Sequence, residues 1–389
     1  MRIAVVMEYH PYDKVGGSEV QVFEVAKALA ALGHHVTYVC QRYDRTKAVE
    51  EDVDGVQIVR ALQWHKVFRF LVGPRLWLAI RRARPDVVYQ RFASPLTGLA
   101  ALSARSLGVP FVWGCSEDVT LERGHLRRGT PTPTQGLVPR LKWAVLMANA
   151  ALSDCLFTIG VRMARALIVQ NAAQAELLWA NYRRRGGIIP NGIRAGEPHR
   201  AESPRPLVLW LNSIRRVKRP EAFIQLARAL AAVSPEVEFA MVGGRQDDDY
   251  KHATDLLASE VPSVELYGAV PHAETRSWFE RAWVFVLTSY GEGFPNVILQ
   301  AWAAGTPVVS LTVDPDGLLR SAGLGLVSET EDQLALDVRR LLEDEAERRR
   351  LGEAGRAYVV EHFDIGAIAA RYEALFARLA SSQPEEPAA

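Results

Sequence analysis

Three stretches of the chain carry residue types whose spacing could do chemistry. The first is Ser289–Ser310, SYGEGFPNVILQAWAAGTPVVS. The apolar run Val284–Leu287 reads as a strand, a loop with Gly291 and Gly293 follows, and a helical pattern opens at Pro295. A helix start presents unpaired N–H groups and a partial positive charge, which suits a diphosphate. The glycines allow close backbone approach. Glu292 could accept hydrogen bonds from sugar hydroxyls, and Gln300, just over one turn into the helix, could reach another part of the same ligand. On these residues alone, a plain strand-loop-helix with a surface Glu fits equally well. The second stretch is Leu209–Pro220, LWLNSIRRVKRP, where Arg215, Arg216 and Lys218 cluster after a strand pattern. Charge alone reads this as a solvated loop. The third is Pro11–Leu32, with Gly16-Gly17 ahead of a helix. It is not GxGxxG, and no acidic residue follows at the dinucleotide spacing, so a nicotinamide cofactor is disfavoured.

The elements that must position these residues alternate along the chain. Arg2–Met7, Val36–Cys40, Asp86–Tyr89, Pro110–Trp113 and Ala166–Val169 are short apolar runs with helical segments between them. Glu19–Leu32 is the first helix, with Val22, Phe23, Ala26, Leu29 and Ala30 on one face and Gly33 as its stop. Such runs are expected of a parallel sheet covered on both faces, a doubly wound α/β arrangement. Ile189–Arg205, rich in proline, glycine and charge, reads as an interdomain linker. The alternation then restarts with Leu207–Leu211, a helix over Pro220–Ala232, and strands at Val237–Val242, Val284–Leu287 and Pro307–Leu311. Helices at Glu331–Leu342, Glu345–His362 and Ile365–Leu379 close the chain. The expected organisation is two Rossmann-like domains, 1–195 and 196–362, then a helix over 363–380 and a flexible tail over 381–389.

The chain's 389 residues exceed one ordinary core. With 46 Lys and Arg against 45 Asp and Glu, the net charge of +1 argues against nucleic acid as a partner. Cys40, Cys115 and Cys155 form no CxxC pair, which speaks against zinc and for a reducing compartment. The opening run is too short for most signal peptides and no small-residue cleavage site follows it, so it reads as a strand. Trp143–Val161 comes nearest to a membrane span. Asn149, Ser153 and Asp154 within it favour a buried helix instead.

Glu292–Val309, EGFPNVILQAWAAGTPVV, resembles the Glu-x7-Glu signature of retaining glycosyltransferases of family 4, commonly EGFPNVxLEAxAxGxPVV. The resemblance implies a GT-B fold: two Rossmann-like domains, an interdomain cleft and a C-terminal helix crossing back to the first domain. It gives Glu292 the donor sugar. It brings the backbone of Gly293, Phe294, Pro295, Asn296 and Val297 to the distal phosphate and sugar. Gln300 stands where the family's second Glu holds the ribose, without that residue's charge. Lys218 matches the lysine that neutralises the diphosphate. The arginine that usually precedes it is replaced by Ser213, which leaves Arg215 or Arg216 as its substitute. Gly16 and Gly17 match a glycine loop near the donor phosphate or the acceptor. Gly243 matches the second nucleotide segment, and Val270 ends the stretch Tyr267–Val270 that would line the base. Pro190–Ile193 matches a junction segment and reads as a structural turn, and Asp247–Asp249 reads as a surface turn rather than a metal motif.

The implied activity is transfer of a sugar from a nucleotide sugar to a hydroxyl with retention. UDP-hexose is the first expectation for the donor and GDP-mannose the second. A glycan or lipid-linked acceptor is expected. No metal or other cofactor is required, since Lys218, an arginine and a helix start supply positive charge. Many relatives carry a His after the strand equivalent to Pro110–Trp113. Here Glu117 or Asp118 could orient the acceptor hydroxyl, or could serve as a cap or loop salt bridge. Arg123, Arg127, Arg128, Arg140 and Lys142 cluster beside an apolar helix, in keeping with either peripheral contact with anionic lipid or a solvated loop. A cytoplasmic location follows as the expectation, with the inner face of the membrane as a peripheral site. The rivals are a nucleotide-sugar epimerase of the same fold and a non-catalytic nucleotide-sugar binder.

Overall fold

The computed structural model describes every residue except 14–15, 64–68, 131–136, 198–200, 232, 245–253, 256, 291 and 382–389. Its chain divides into two compact units, Met1–Gly192 with Ile365 onward, and Ile193–Asp364. The division thus falls inside the Pro- and Gly-rich stretch, three residues before position 195. Local packing explains the place. A side chain on Gly192 would press on Ile365 and Ile368 of the first unit, whereas the Ile193 amide donates to the Phe363 carbonyl of the second at 2.8 Å.

The first unit holds strands β1 (Arg2–Val6), β2 (His35–Gln41), β3 (Glu50–Val53), β4 (Val56–Leu62), β5 (Val87–Arg91), β6 (Phe111–Gly114), β7 (Ala166–Val169) and β8 (Gly187–Ile188). Its helices are α1 (Gly17–Ala31), α2 (Gly73–Ala83), α3 (Pro95–Ser106), α4 (His125–Arg128), α5 (Leu137–Met163) and α6 (Ala172–Tyr182). The strands form one sheet in the order β3-β4-β2-β1-β5-β6-β7-β8. All pair in parallel except β3 with β4. The β3–β4 hairpin has no counterpart among the strands expected from the sequence, because Glu50–Val53 is a polar edge strand with no apolar run.

The second unit continues with β9 (Leu207–Leu211), α7 (Pro220–Ala231), β10 (Glu238–Val242), β11 (Val264–Gly268), α8 (His272–Arg281), β12 (Val284–Leu287), α9 (Asn296–Ala303), β13 (Val308–Ser310), α10 (Leu318–Ser321), β14 (Gly325–Val327), α11 (Glu331–Glu343) and α12 (Glu345–His362). Its sheet runs β11-β10-β9-β12-β13-β14, parallel throughout. The last helix, α13 (Ile365–Ser381), belongs to the first unit. Its buried stripe of Ile365, Ile368, Ala369, Tyr372, Phe376 and Leu379 joins the core that α1 forms over β1 and β2.

Helix α5 departs from the sequence expectation of a buried helix. Only 28% of its 18-residue apolar window is buried, and among the described residues it alone is long and apolar enough to cross a membrane. Its C-terminal half packs on α3 through glycines. A Cβ on Gly98 would run into the Leu156 backbone, and one on Gly160 would sit 2.5 Å from the Thr97 carbonyl oxygen. Neither backbone can yield, so Gly98→Val should lower the unfolding free energy by about 2 kcal/mol or more. Leu152→Ala, on the exposed side of the same helix, should stay within about 0.5 kcal/mol. Urea denaturation of both variants measures the difference, and equal midpoints would contradict the close packing.

Candidate active site

In an open parallel sheet, the strand whose neighbours lead away in opposite directions leaves a crevice at its carboxyl end. In the second unit that strand is β9, flanked by β10 and β12. Both loops singled out in the sequence leave from there. The chain after β9 runs to Lys218, and the chain after β12 runs to Glu292. They meet in an ion pair, Lys218 Nζ to Glu292 Oε2 at 2.7 Å, with side chains only 10% and 15% exposed.

Three bonds stitch the loops together. The Trp210 indole donates to Thr288 Oγ1 at 2.9 Å, and that hydroxyl donates to the Lys218 carbonyl at 2.7 Å. The Tyr290 amide donates to the Val217 carbonyl at 3.0 Å. Trp210 and Thr288 are buried, so the hydroxyl is a satisfied link inside the core. Glu292 uses one oxygen on Lys218, while Oε1 is buried with no partner among the described residues. Ser289 Oγ is in the same state. A buried acceptor without a donor costs about 1–3 kcal/mol, a cost that a ligand hydroxyl would remove.

Helix α9 starts beside this pair. Pro295 is its N-cap and makes no side-chain cap bond to the first turn. Phe294 is buried against Phe363 and Trp302, with ring centroids 5.1 and 6.5 Å apart, which pins the loop from below. Gly293, Asn296 and Val297 are half-buried at the mouth, and Gln300 is half-buried one turn on. Gly291 lies outside the described residues. Ser213, where the family pattern has an arginine, accepts from Arg215 Nε at 3.1 Å. Arg216 is exposed and lines a depression of about 340 Å³ with Arg219, Glu221 and Tyr290. Gly243 directly follows β10 beside the residue that follows β9, and a Cβ there would collide with the Asn212 carbonyl oxygen. Val270 is half-buried on the apolar core behind the crevice. Asp247–Asp249 lies outside the described residues.

The other expected residues lie in the first unit. Gly16 is the N-cap of α1, in extended backbone, and Gly17 is the first helical residue. Just before them, the side chain of Asp13 is covered by Arg60 of β4, at 2.9 Å, and by Lys47, at 2.6 Å. Burial alone would raise the Asp13 pKa; the bonds from Arg60 and Lys47 outweigh it and hold the carboxyl below its usual range. Asp118 opens the turn after β6, and its Oδ1 accepts from Gln174 Nε2 of α6 at 2.9 Å. Glu117 beside it is exposed.

Three polar side chains at the carboxyl edge of this sheet escaped the sequence reading. Gln90 Oε1 on β5, Ser116 Oγ after β6 and Gln170 Oε1 after β7 are all buried without partners among the described residues. Their signal was a polar residue at or just after the end of an apolar parallel strand. No histidine follows β6 within Cys115–Asp118, whereas the residue at position 10, after β1, is one. His10 is fully buried among Tyr12, Phe23 and Tyr38, and burial pushes its pKa down to about 4.

A model of the family described as Glycosyltransferase Family 4 matches residues 15–197, and one described as Glycosyl transferases group 1 matches 205–344. The chain belongs to the family-4 glycosyltransferases. D-inositol 3-phosphate glycosyltransferase of a Nocardioides strain is 27% identical, over 89% of this chain and 83% of that protein. Sucrose-phosphate synthase from Thermosynechococcus elongatus superposes with a TM-score of 0.74 at 20% identity, covering 98% and 99% of the two chains. Anabaena HepE in complex with UDP-glucose does so with a TM-score of 0.71 at 16% identity, covering 97% and 99%. These likenesses show the GT-B fold, and the family makes the protein a glycosyltransferase.

Replacing the linking hydroxyl tests how the site is held. Thr288→Val keeps shape but strands the Trp210 N–H and releases the Lys218 carbonyl. It should cost about 1–3 kcal/mol of stability and lower kcat/KM by about tenfold or more. Denaturation and steady-state kinetics on the variant check this. Unchanged kcat/KM would show that Lys218 needs no such support.

Proposed function

We propose that the protein transfers a sugar from a nucleoside diphosphate sugar, UDP-hexose before GDP-mannose, to a hydroxyl of a glycan or lipid-linked acceptor, with retention of configuration. The observation that carries this reading is the Lys218–Glu292 pair at the carboxyl end of β9, with one Glu292 oxygen left without a donor. Lys218 offers a cation for the diphosphate, and the uncapped start of α9 offers backbone N–H groups with a partial positive charge. Charge that grows on the leaving phosphate would be stabilised by groups already fixed in place. Glu292 Oε1 would accept from a sugar hydroxyl. Arg215, whose Nε donates to Ser213 Oγ at 3.1 Å, is the arginine we pair with Lys218.

These cations supply in this reading the charge that a metal supplies elsewhere. Retention fits attack from the leaving-group side, where the departing phosphate oxygen takes the acceptor's proton. Asp118, held by Gln174, would then orient the acceptor rather than act as a strong base. The preference for uridine draws on the UDP-glucose complex of the Anabaena protein.

A thermal-shift series with UDP, GDP, ADP and dTDP tests the donor, because a ligand that binds the folded state raises its melting temperature. UDP should give the largest shift, and Lys218→Ala should abolish most of it. Turnover of UDP-hexose with acceptor present should fall at least about 100-fold in both Lys218→Ala and Glu292→Ala. A larger shift with GDP would move the donor to the mannose nucleotide. Unchanged transfer in both variants would overturn the site assignment.

A further inference from the structure

Helix α5 leaves one face open from Leu141 to Cys155. Leu141, Val145, Ala148, Leu152 and Cys155 are exposed, at spacings of four and three that keep them on one stripe. Leu141 is 67% exposed, Val145 41% and Leu152 38%, so the apolar exposure is contiguous along the stripe. At 1.5 Å per residue the stripe runs about 21 Å. Charges border it. With about 100° between successive residues, Arg140 and Lys142 fall on its two flanks, and Arg162 continues one flank; all three are exposed. The single acid of the helix, Asp154, is engaged elsewhere, accepting from the Leu126 and Arg127 amides of α4.

We propose that this face of α5 lies in the surface of an anionic bilayer, with the apolar stripe among the upper acyl chains and Arg140, Lys142 and Arg162 on lipid phosphates. The helix has the length to span. Its opposite side, however, is committed to the first unit: Ala150, Ser153, Phe157 and Val161 are buried there, and the Gly98 and Gly160 contacts hold it on α3. A helix held by one side on an α/β unit, whose strand ends and loops cannot enter hydrocarbon, offers a bilayer only its other side and lies on the membrane. The spacing would also suit a second copy of the chain. Against that, the cations on both flanks would face cations across such a seam, with no acid on the stripe to meet them. Negative lipid headgroups complement them. The proposal is independent of the donor, since it rests on α5 alone.

Vesicle flotation of the full chain tests it. Binding is expected to vesicles containing phosphatidylglycerol, with weak binding to phosphatidylcholine alone and loss at high salt. Leu141→Glu combined with Val145→Glu should reduce binding at least about tenfold, and so should Arg140→Glu combined with Lys142→Glu. All four positions are exposed, so melting temperatures should hold. Cys155 is the exposed cysteine, Cys40 and Cys115 being buried. An environment-sensitive dye on Cys155 should therefore shift to the blue on anionic vesicles. No flotation of the wild type, or flotation without a dye shift, would overturn the proposal. So would a dimer by light scattering that Leu141→Glu dissociates and vesicles leave intact.

Discussion

Parallel strands cannot be joined by tight turns, and that constraint organises the site. Each crossover returns the chain through a helix to the same edge, so the carboxyl ends of the strands collect the loops. In the second unit β9 sits where the winding reverses, and the segments after β9 and β12 meet. An ion pair there could be a mere surface bridge worth little. It is instead largely buried, backed by a hydroxyl that links Trp210 to the Lys218 carbonyl, and left one oxygen short of partners. Rigid backing and an unmet acceptor are the features of a site built to receive a ligand.

The second unit was the more legible of the two. Its strands are short apolar runs, and the loop after β12 is a long motif whose loop and helix-start residues gather at one place. The pairing of Lys218 with Glu292 was not legible, because 74 positions separate them and only the sheet order brings them together. Arg215 and Arg216 looked equivalent as neighbouring cations. In the structure Arg215 bonds Ser213 and Arg216 is exposed, details of side-chain direction that spacing does not carry. In the first unit, Gln90, Ser116 and Gln170 went unread because each is one polar residue at the end of an apolar strand. Their shared surroundings exist only once β5, β6 and β7 lie side by side.

Helix α5 shows the limit of composition in another way. Its apolar sequence was compatible with burial, and only 28% of its apolar window is buried. The two glycine contacts with α3 fix which side faces inward. The same contacts therefore fix which side faces out. A polar loop around Asp13 has the opposite history: nothing in its sequence marks it as rigid, yet the bonds from Arg60 and Lys47 seat it firmly ahead of Gly16 and Gly17.

The central claim is that Lys218 and Glu292 act on the donor as one unit. A double-mutant cycle on kcat/KM with Lys218→Met and Glu292→Gln measures this directly. The account predicts strong non-additivity, the double variant being little worse than the more damaged single one, with a coupling of about 1–3 kcal/mol. Additive losses would mean that the two side chains serve the reaction separately, and would contradict it.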